Sequence, residues 1–382
     1  MLTSKQVFTV AAALVAAACE TGSQPLSPEL DPTVAATAPG DVAPGAVYVA
    51  SNDAGGNEIL VFTRAADGTL TIAESVPTGG VGTSDGLGSQ LAIAFTGDHR
   101  RLYVVNAGSD DITGFDVAGT SLAAIGGPVP SGGDLPISLT VHGNLLYVLN
   151  AGSGGNISGF RISSSGGLTP IPGSTRALSG TNTGPAQIAF TPGGRVLVVT
   201  EKTTNTIVTY VVDQDGRAGL PQVQASAGQT PFGFNFNARG DLVVSEAGGI
   251  GDGLSTASSY RVGDDGVLAL VSGPVPTTQA AACWIAIGQD GRFAYTTNTG
   301  SGSVSQLALG VGASLTLENA VAGITGPGSR PQDADFTPGG RFLYVRNAEG
   351  SVSGFRVESN GALIALGSFG PIPTFASGLA AR

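Results

Sequence analysis

Histidine, tryptophan and cysteine are scarce in this 382-residue chain, which has two His, one Trp and two Cys. Cys19 stands near the N-terminus, so the body offers His99, His142 and Cys283 alone, too few soft ligands for a zinc site. Two cysteines also make no disulfide framework, and Cys283, in apolar "AACWIAI", reads as a buried small hydrophobe rather than a nucleophile. Charge is sparse too: 12% of residues are charged, with 17 Lys+Arg against 28 Asp+Glu and a net charge of −11. No basic stripe exists to neutralise phosphates, which argues against nucleic acid or an anionic lipid surface as partner. After residue 20 no apolar run approaches the roughly 20 residues needed to span a bilayer.

What the chain does have is glycine, 60 residues of it, with 41% hydrophobic residues in short runs rich in Val, Ile, Phe and Tyr. That combination describes a well-buried protein with many tight turns. The first 19 residues, "MLTSKQVFTVAAALVAAAC", read as an export signal: one Lys, then an apolar stretch, then small residues before Cys19. Ala16-Ala17-Ala18-Cys19 is similar to a lipobox with Ala where Leu is usual, so lipidation of Cys19 and ordinary cleavage nearby are equally weighted. Residues 20–44, rich in Pro, Ala and Thr, read as a flexible tether. Periplasm, cell envelope or secretion follows as the expected location, with membrane contact only through an N-terminal lipid.

From residue 45 to 382 the chain repeats with a period of about 50 residues, seven times. Each copy has a short apolar strand, a turn like "TPGGR" (191–195, 337–341), a strand like "RLYVVN" (101–106), a second turn, a strand like "ITGF" (112–115) and a Gly-rich tail. Four short strands per repeat without helical periodicity describe an all-β, seven-bladed β-propeller. The first copy lacks its inner strand, and "PIPTFASGLAAR" (371–382) matches an inner strand with nothing after it. The C-terminal strand is therefore expected to join the first blade and close the ring, leaving no free edge there and suggesting a monomer.

Aligned on the second strand, the repeats place Asn52, Asn106, Asn150, Glu201, Glu246, Asn298 and Asn347 at one position. Asn there reads as structural, its side chain bonding the following turn. Two adjacent blades carry Glu instead, on the face where the blades are connected. Paired carboxylates near a channel could share a proton, bind a cation or act as acid and base; the competing reading is two solvated turn carboxylates, with Lys202 neutralising Glu201. Lys202, Gln187, Gln279 and Arg330 are expected on or near the same rim as substrate-binding groups. His99 and His142 fall in turns of the opposite face. Trp284 is expected to pack between blades, and Asp333 and Asp335 either to line the channel or to pair with Arg330. "GTSDG" (82–86) and "GGIGDG" (248–253) match nucleophile and phosphate-loop patterns only by chance, because no helix follows either; the second is expected to form a rim loop.

The segments "FTPGGRVLVVTEKTTNTIVTYVVDQDG", "ACWIAIGQDGRFAYTTNTGSGS" and "FTPGGRFLYVRN" resemble the seven-bladed lactonase-type propellers, which include 6-phosphogluconolactonase-like and carboxymuconate-cyclase-like proteins. The resemblance implies a small-molecule lactone or sugar acid as substrate, no cofactor, and catalysis by a Glu within an Asn-Glu-Leu segment matched here by Thr200-Glu201-Lys202. The same family uses His and Arg residues beside that Glu, and "GPAQIAF" (184–190) has neither. If the site is catalytic, Glu201 or Glu246 serves as general base, with Lys202 or Arg330 holding a carboxylate or oxyanion. The alternative is a non-catalytic envelope propeller, similar to YVTN-type repeat proteins, that binds a protein or a glycan.

Overall fold

The computed structural model describes residues 43–248 and 253–382 and contains seven antiparallel sheets of four or five strands each. The expected export signal and nearly all of the expected tether lie outside the described residues, as do residues 249–252 of the expected rim loop. Blades are numbered here from the N-terminus. Their inner strands are Ile93–Phe95 in blade 2, Pro136–His142 in blade 3, Pro185–Phe190 in blade 4, Pro231–Phe236 in blade 5, Ala282–Ile287 in blade 6 and Pro331–Phe336 in blade 7.

Blade 1 takes its inner strand from the far end of the chain. Ser377–Ala381 pairs antiparallel with Gly45–Ala50, in the register Val47↔Ala381 and Val49↔Leu379. Ala46 and Arg382 extend the ladder by exchanging backbone hydrogen bonds at 2.8 and 3.0 Å. The expected closure of the ring is thus observed.

A propeller blade is a sheet with two apolar faces, so its core lies between blades. Seven apolar clusters fill the seven blade interfaces. An eighth, of Ala186, Phe232, Ala247, Ala281, Cys283 and Trp284, lies among the inner elements of blades 4–6.

Each interface is also tied by a hydroxyl. Tyr103, Tyr147, Tyr295 and Tyr344, all buried on second strands, donate to the carbonyls of Gly166, Gly216, Gly361 and Gly68 in the next blade's outer hairpin. Tyr48 reaches Thr120 in the same way at 3.4 Å. Blades 4 and 5 have Val198 and Val243 at that register, and third-strand hydroxyls substitute: Thr209 donates to Gly266 and Ser259 to Ala313. Losing the tyrosine in these two blades does not lose the tie.

Candidate functional site: the face of the blade connections

Strand pairing sets Asn106 opposite Asp111, Asn150 opposite Asn156, Glu201 opposite Thr206, Glu246 opposite Thr256, Asn298 opposite Ser303 and Asn347 opposite Ser351. Six of the seven aligned residues are therefore equivalent. In blade 1 the equivalent is Ser51, whose N–H donates to Glu58, and Asn52 lies one residue beyond it in the left-handed region at φ 54°. The extra residue turns the Asn52 side chain onto the blade 1–2 connection, where it accepts from the Thr83 N–H at 3.1 Å and donates to the Asp85 carbonyl at 2.7 Å.

Glu201 and Glu246 are fully buried, which excludes the reading of solvated turn carboxylates. Glu201 accepts from the Ser179 N–H at 3.0 Å, the Ser179 hydroxyl, and the hydroxyls of Thr204 and Thr206 at 2.9 and 3.0 Å. Glu246 accepts from the Gly228 N–H at 2.8 Å, from Ser226 at 3.2 Å and from Thr256. Ser179 lies on the connection entering blade 4, and Ser226 and Gly228 on that entering blade 5. Each carboxylate pins a blade connection to the end of a second strand. Burial pushes the Glu246 carboxyl above its ordinary range, and the donated hydrogen bonds only partly oppose that shift.

Lys202 points elsewhere. Its Nζ donates to the Gly88 carbonyl at 2.6 Å and lies 4.7 Å from the centre of the Phe232 ring. Gly88 belongs to a strap, residues 86–91, that runs from the blade 1–2 connection across the inner strands of the far blades. The Gln90 amide donates to the Ile285 carbonyl at 2.8 Å and accepts from its N–H at 3.2 Å, and the Gln90 N–H donates to Ala186 at 3.0 Å. Trp284 Nε1 donates to the Ser89 carbonyl at 2.7 Å, and the Ser89 hydroxyl donates to Ile137 at 2.8 Å. The strap thus joins blades 3, 4 and 6 over the middle of the ring, with Ser89 and Gln90 buried. Trp284 packs against Phe232 of blade 5, as expected of a residue between blades, and supports the strap as well.

The other expected rim residues separate. Gln187 is buried and holds the edge of blade 5, donating to the Phe234 carbonyl and accepting from its N–H at 2.9 and 2.7 Å. Gln279 accepts from Ser303 at 3.2 Å, and Arg330 donates to the Ala348 carbonyl at 3.4 Å. Asp333 pairs with Arg346 at 3.5 Å rather than with Arg330. It also accepts from the Gly378 N–H, as Asp335 does from the Ala381 N–H at 2.9 Å, so both carboxylates face the free edge of the closing strand. Glu201 and Glu246 enter none of the ion pairs formed among the described residues.

Sequence reasoning missed Ser89, Gln90 and Ser179. Nothing in "GLGSQL" distinguishes a strap from an ordinary Gly-rich connection; the one signal was a Gln preceding an inner strand, as Gln187 lies within one. Ser84 of "GTSDG" is a turn residue whose hydroxyl accepts from the Ala54 N–H, consistent with a chance match.

Two cavities open between blades on the opposite face. One, of ≈ 400 Å³, lies between blades 4 and 5 beside Thr191, Arg239, Asp241 and Arg261; the other, of ≈ 270 Å³, lies between blades 6 and 7 beside Asp290, Arg292, Arg341 and Glu358. Neither includes any residue of the expected rim. The histidines are also on that face, His99 stacked on Phe95 at 4.9 Å and His142 near Phe190 at 5.7 Å.

A ring of seven blades of four or five strands, with its polar connections on one face, defines the propeller class. The chain belongs to the family described as "Lactonase, 7-bladed beta-propeller", whose model matches residues 56–180, 167–249 and 247–369. Its structure is similar to the periplasmic gluconolactonase PpgL of Pseudomonas aeruginosa, with 19% identity, a TM-score of 0.67, and coverage of 89% of this chain and 99% of that one. It is similar to a Lactobacillus plantarum protein at 17% identity and a TM-score of 0.68, covering 89% of this chain and 100% of that one. A candidate 6-phosphogluconolactonase from Bacteroides fragilis NCTC 9343 matches at 19% identity and a TM-score of 0.64, covering 88% and 98%. At these identities the likeness carries the fold alone. None of the curated protein sequences matches this chain.

Proposed function

We propose that this chain is an exported, non-hydrolytic member of the lactonase propeller family that binds a protein partner. The observation that carries the reading is the state of the connection face. The Glu201 carboxylate is buried under four donors, and the strap fastened by Lys202, Gln90 and Trp284 covers the inner strands where a small substrate would enter. A protein is favoured over a glycan because the large apolar side chains exposed among the described residues are all aliphatic, and sugars stack on aromatic rings. Val223, Leu270, Val271, Val321 and Ile324 lie on the outer strands of blades 4–6, of which Leu315–Ile324 is a long edge strand without proline, open to strand addition.

A second reading, hydrolysis of a sugar-acid or related lactone, is favoured by the Glu246 carboxyl, which burial pushes above its ordinary range in the direction a general acid requires. Purified residues 45–382 incubated with sugar and muconate lactones and followed by proton release separate the two. The expected outcome is no turnover above buffer. Turnover that disappears in Glu246→Gln or Glu201→Gln, each with its fold retained, would establish the second reading.

A further inference from the structure

Arg346 is 3% exposed, and two of its guanidinium nitrogens have no acceptor. Nη2 donates to the Gln332 Oε1 and lies 3.5 Å from Asp333 Oδ2, but Nε and Nη1 reach nothing. Buried N–H groups left without acceptors are costly, the more so on a charged group.

The register explains where these donors point. Arg346 immediately precedes the strand-end Asn347. In blades 4, 5 and 6 the same register holds Thr200, Ser245 and Thr297, and each hydroxyl donates to a carbonyl on the next blade's inner strand: Phe232, Cys283 and Gln332. From this position a side chain meets the innermost strand of its neighbour. For blade 7 that neighbour is the closing strand Ser377–Ala381, whose Gly378 and Ala381 N–H groups already donate to Asp333 and Asp335. Tyr344, two residues before Arg346 and so on the same side of the strand, packs with Val47 and Leu379 and confirms that this side faces blade 1. The guanidinium therefore stands at the seam where the ring closes, where its neighbours already use the strand's own donors. Beyond Asp333, the Glu349 carboxylate and then the Arg330 guanidinium are the charges close enough to influence it, with opposite signs.

We propose that Arg346 holds a small monovalent anion, an inorganic halide or the carboxylate of a small organic acid, at the seam between blades 7 and 1. The anion accepts from Nε or Nη1, relieves one of the two unsatisfied nitrogens of the guanidinium, and binds only while the closing strand is docked. This inference is independent of whether the connection face hydrolyses a lactone.

The test is a crystal of the protein grown in sodium bromide, with anomalous scattering recorded for the wild type and for Arg346→Gln. A bromide peak beside the Arg346 guanidinium, absent in the variant, is expected. In solution, bromide should raise the Tm of the wild type and not that of Arg346→Gln, since a ligand of the native state alone stabilises it. Displacement of the bromide by gluconate assigns the site to an organic carboxylate, and retention against gluconate assigns it to a halide. If Arg346→Gln does not fold, the wild-type crystal decides alone. Water in place of a bromide peak, or equal bromide responses in the two proteins, overturns the proposal.

Discussion

Glu201 and Glu246 are matched to what stands across their turns. The Asn side chains donate to Asp111, Asn156, Ser303 and Ser351, all able to accept, whereas the two Glu side chains accept from Thr206 and Thr256. The exchange of Asn for Glu reverses the direction of the hydrogen bond and leaves the turn intact. Glu201→Gln replaces one acceptor oxygen with an amide that meets donors, and should cost about 1–3 kcal/mol in denaturant unfolding. Asn106→Glu should cost more, because Asp111 would face a second carboxylate. Asp335 gives a pH signature. Burial pushes its carboxyl up from 3.8 to about 7, so the fold favours the protonated form. Its contribution is full below the unfolded value and is lost as pH rises through about 7. Glu246 and Asp333 are shifted in the same direction. Urea unfolding should therefore show greater stability at about pH 5 than at about pH 8, and Asp335→Asn should narrow that difference. An unchanged difference would mean that Asp335 titrates normally.

Among the elements, the strap is the one that sequence periodicity does not reveal. Its backbone groups are satisfied by side chains from blades far away in sequence, such as Trp284 and Lys202, and its own Gln90 serves the backbone of Ile285. Gln90→Ala strands an N–H and a carbonyl on the inner edge of blade 6, each worth about 1–3 kcal/mol when left unsatisfied. Faster amide exchange at Ile285 together with a lowered Tm is the expected result; protection equal to the wild type would show that the strap is not held through Gln90. The same logic covers the hydroxyl ties. Tyr in five blades announces its role by recurrence, but Thr209 and Ser259 perform it from another strand, and no alignment of repeats shows that.

For the whole molecule the decisive joint is blade 1, assembled from both ends of the described chain. Removing residues 377–382 would uncover the inner edge of Gly45–Ala50 and take the Gly378 N–H from Asp333 and the Ala381 N–H from Asp335. The truncated chain is expected to lose cooperative unfolding and to self-associate on size-exclusion chromatography, since an open strand edge pairs with other chains. A monomeric truncated chain that unfolds cooperatively would show that the remaining six complete blades hold the ring without closure.

The sequence alone determined the architecture, because a repeat about 50 residues long with alternating strands permits few arrangements and an incomplete first copy requires its missing strand from elsewhere. It also determined that Glu201 and Glu246 break the Asn series on the connection face. Tertiary structure decided what those residues face. Burial, the one-residue offset that turns Asn52 onto the blade 1–2 connection, the strap over the inner strands and the unsatisfied donors of Arg346 all depend on contacts between blades. A repeat pattern describes one blade at a time, and the chemistry of this ring lies where one blade meets another.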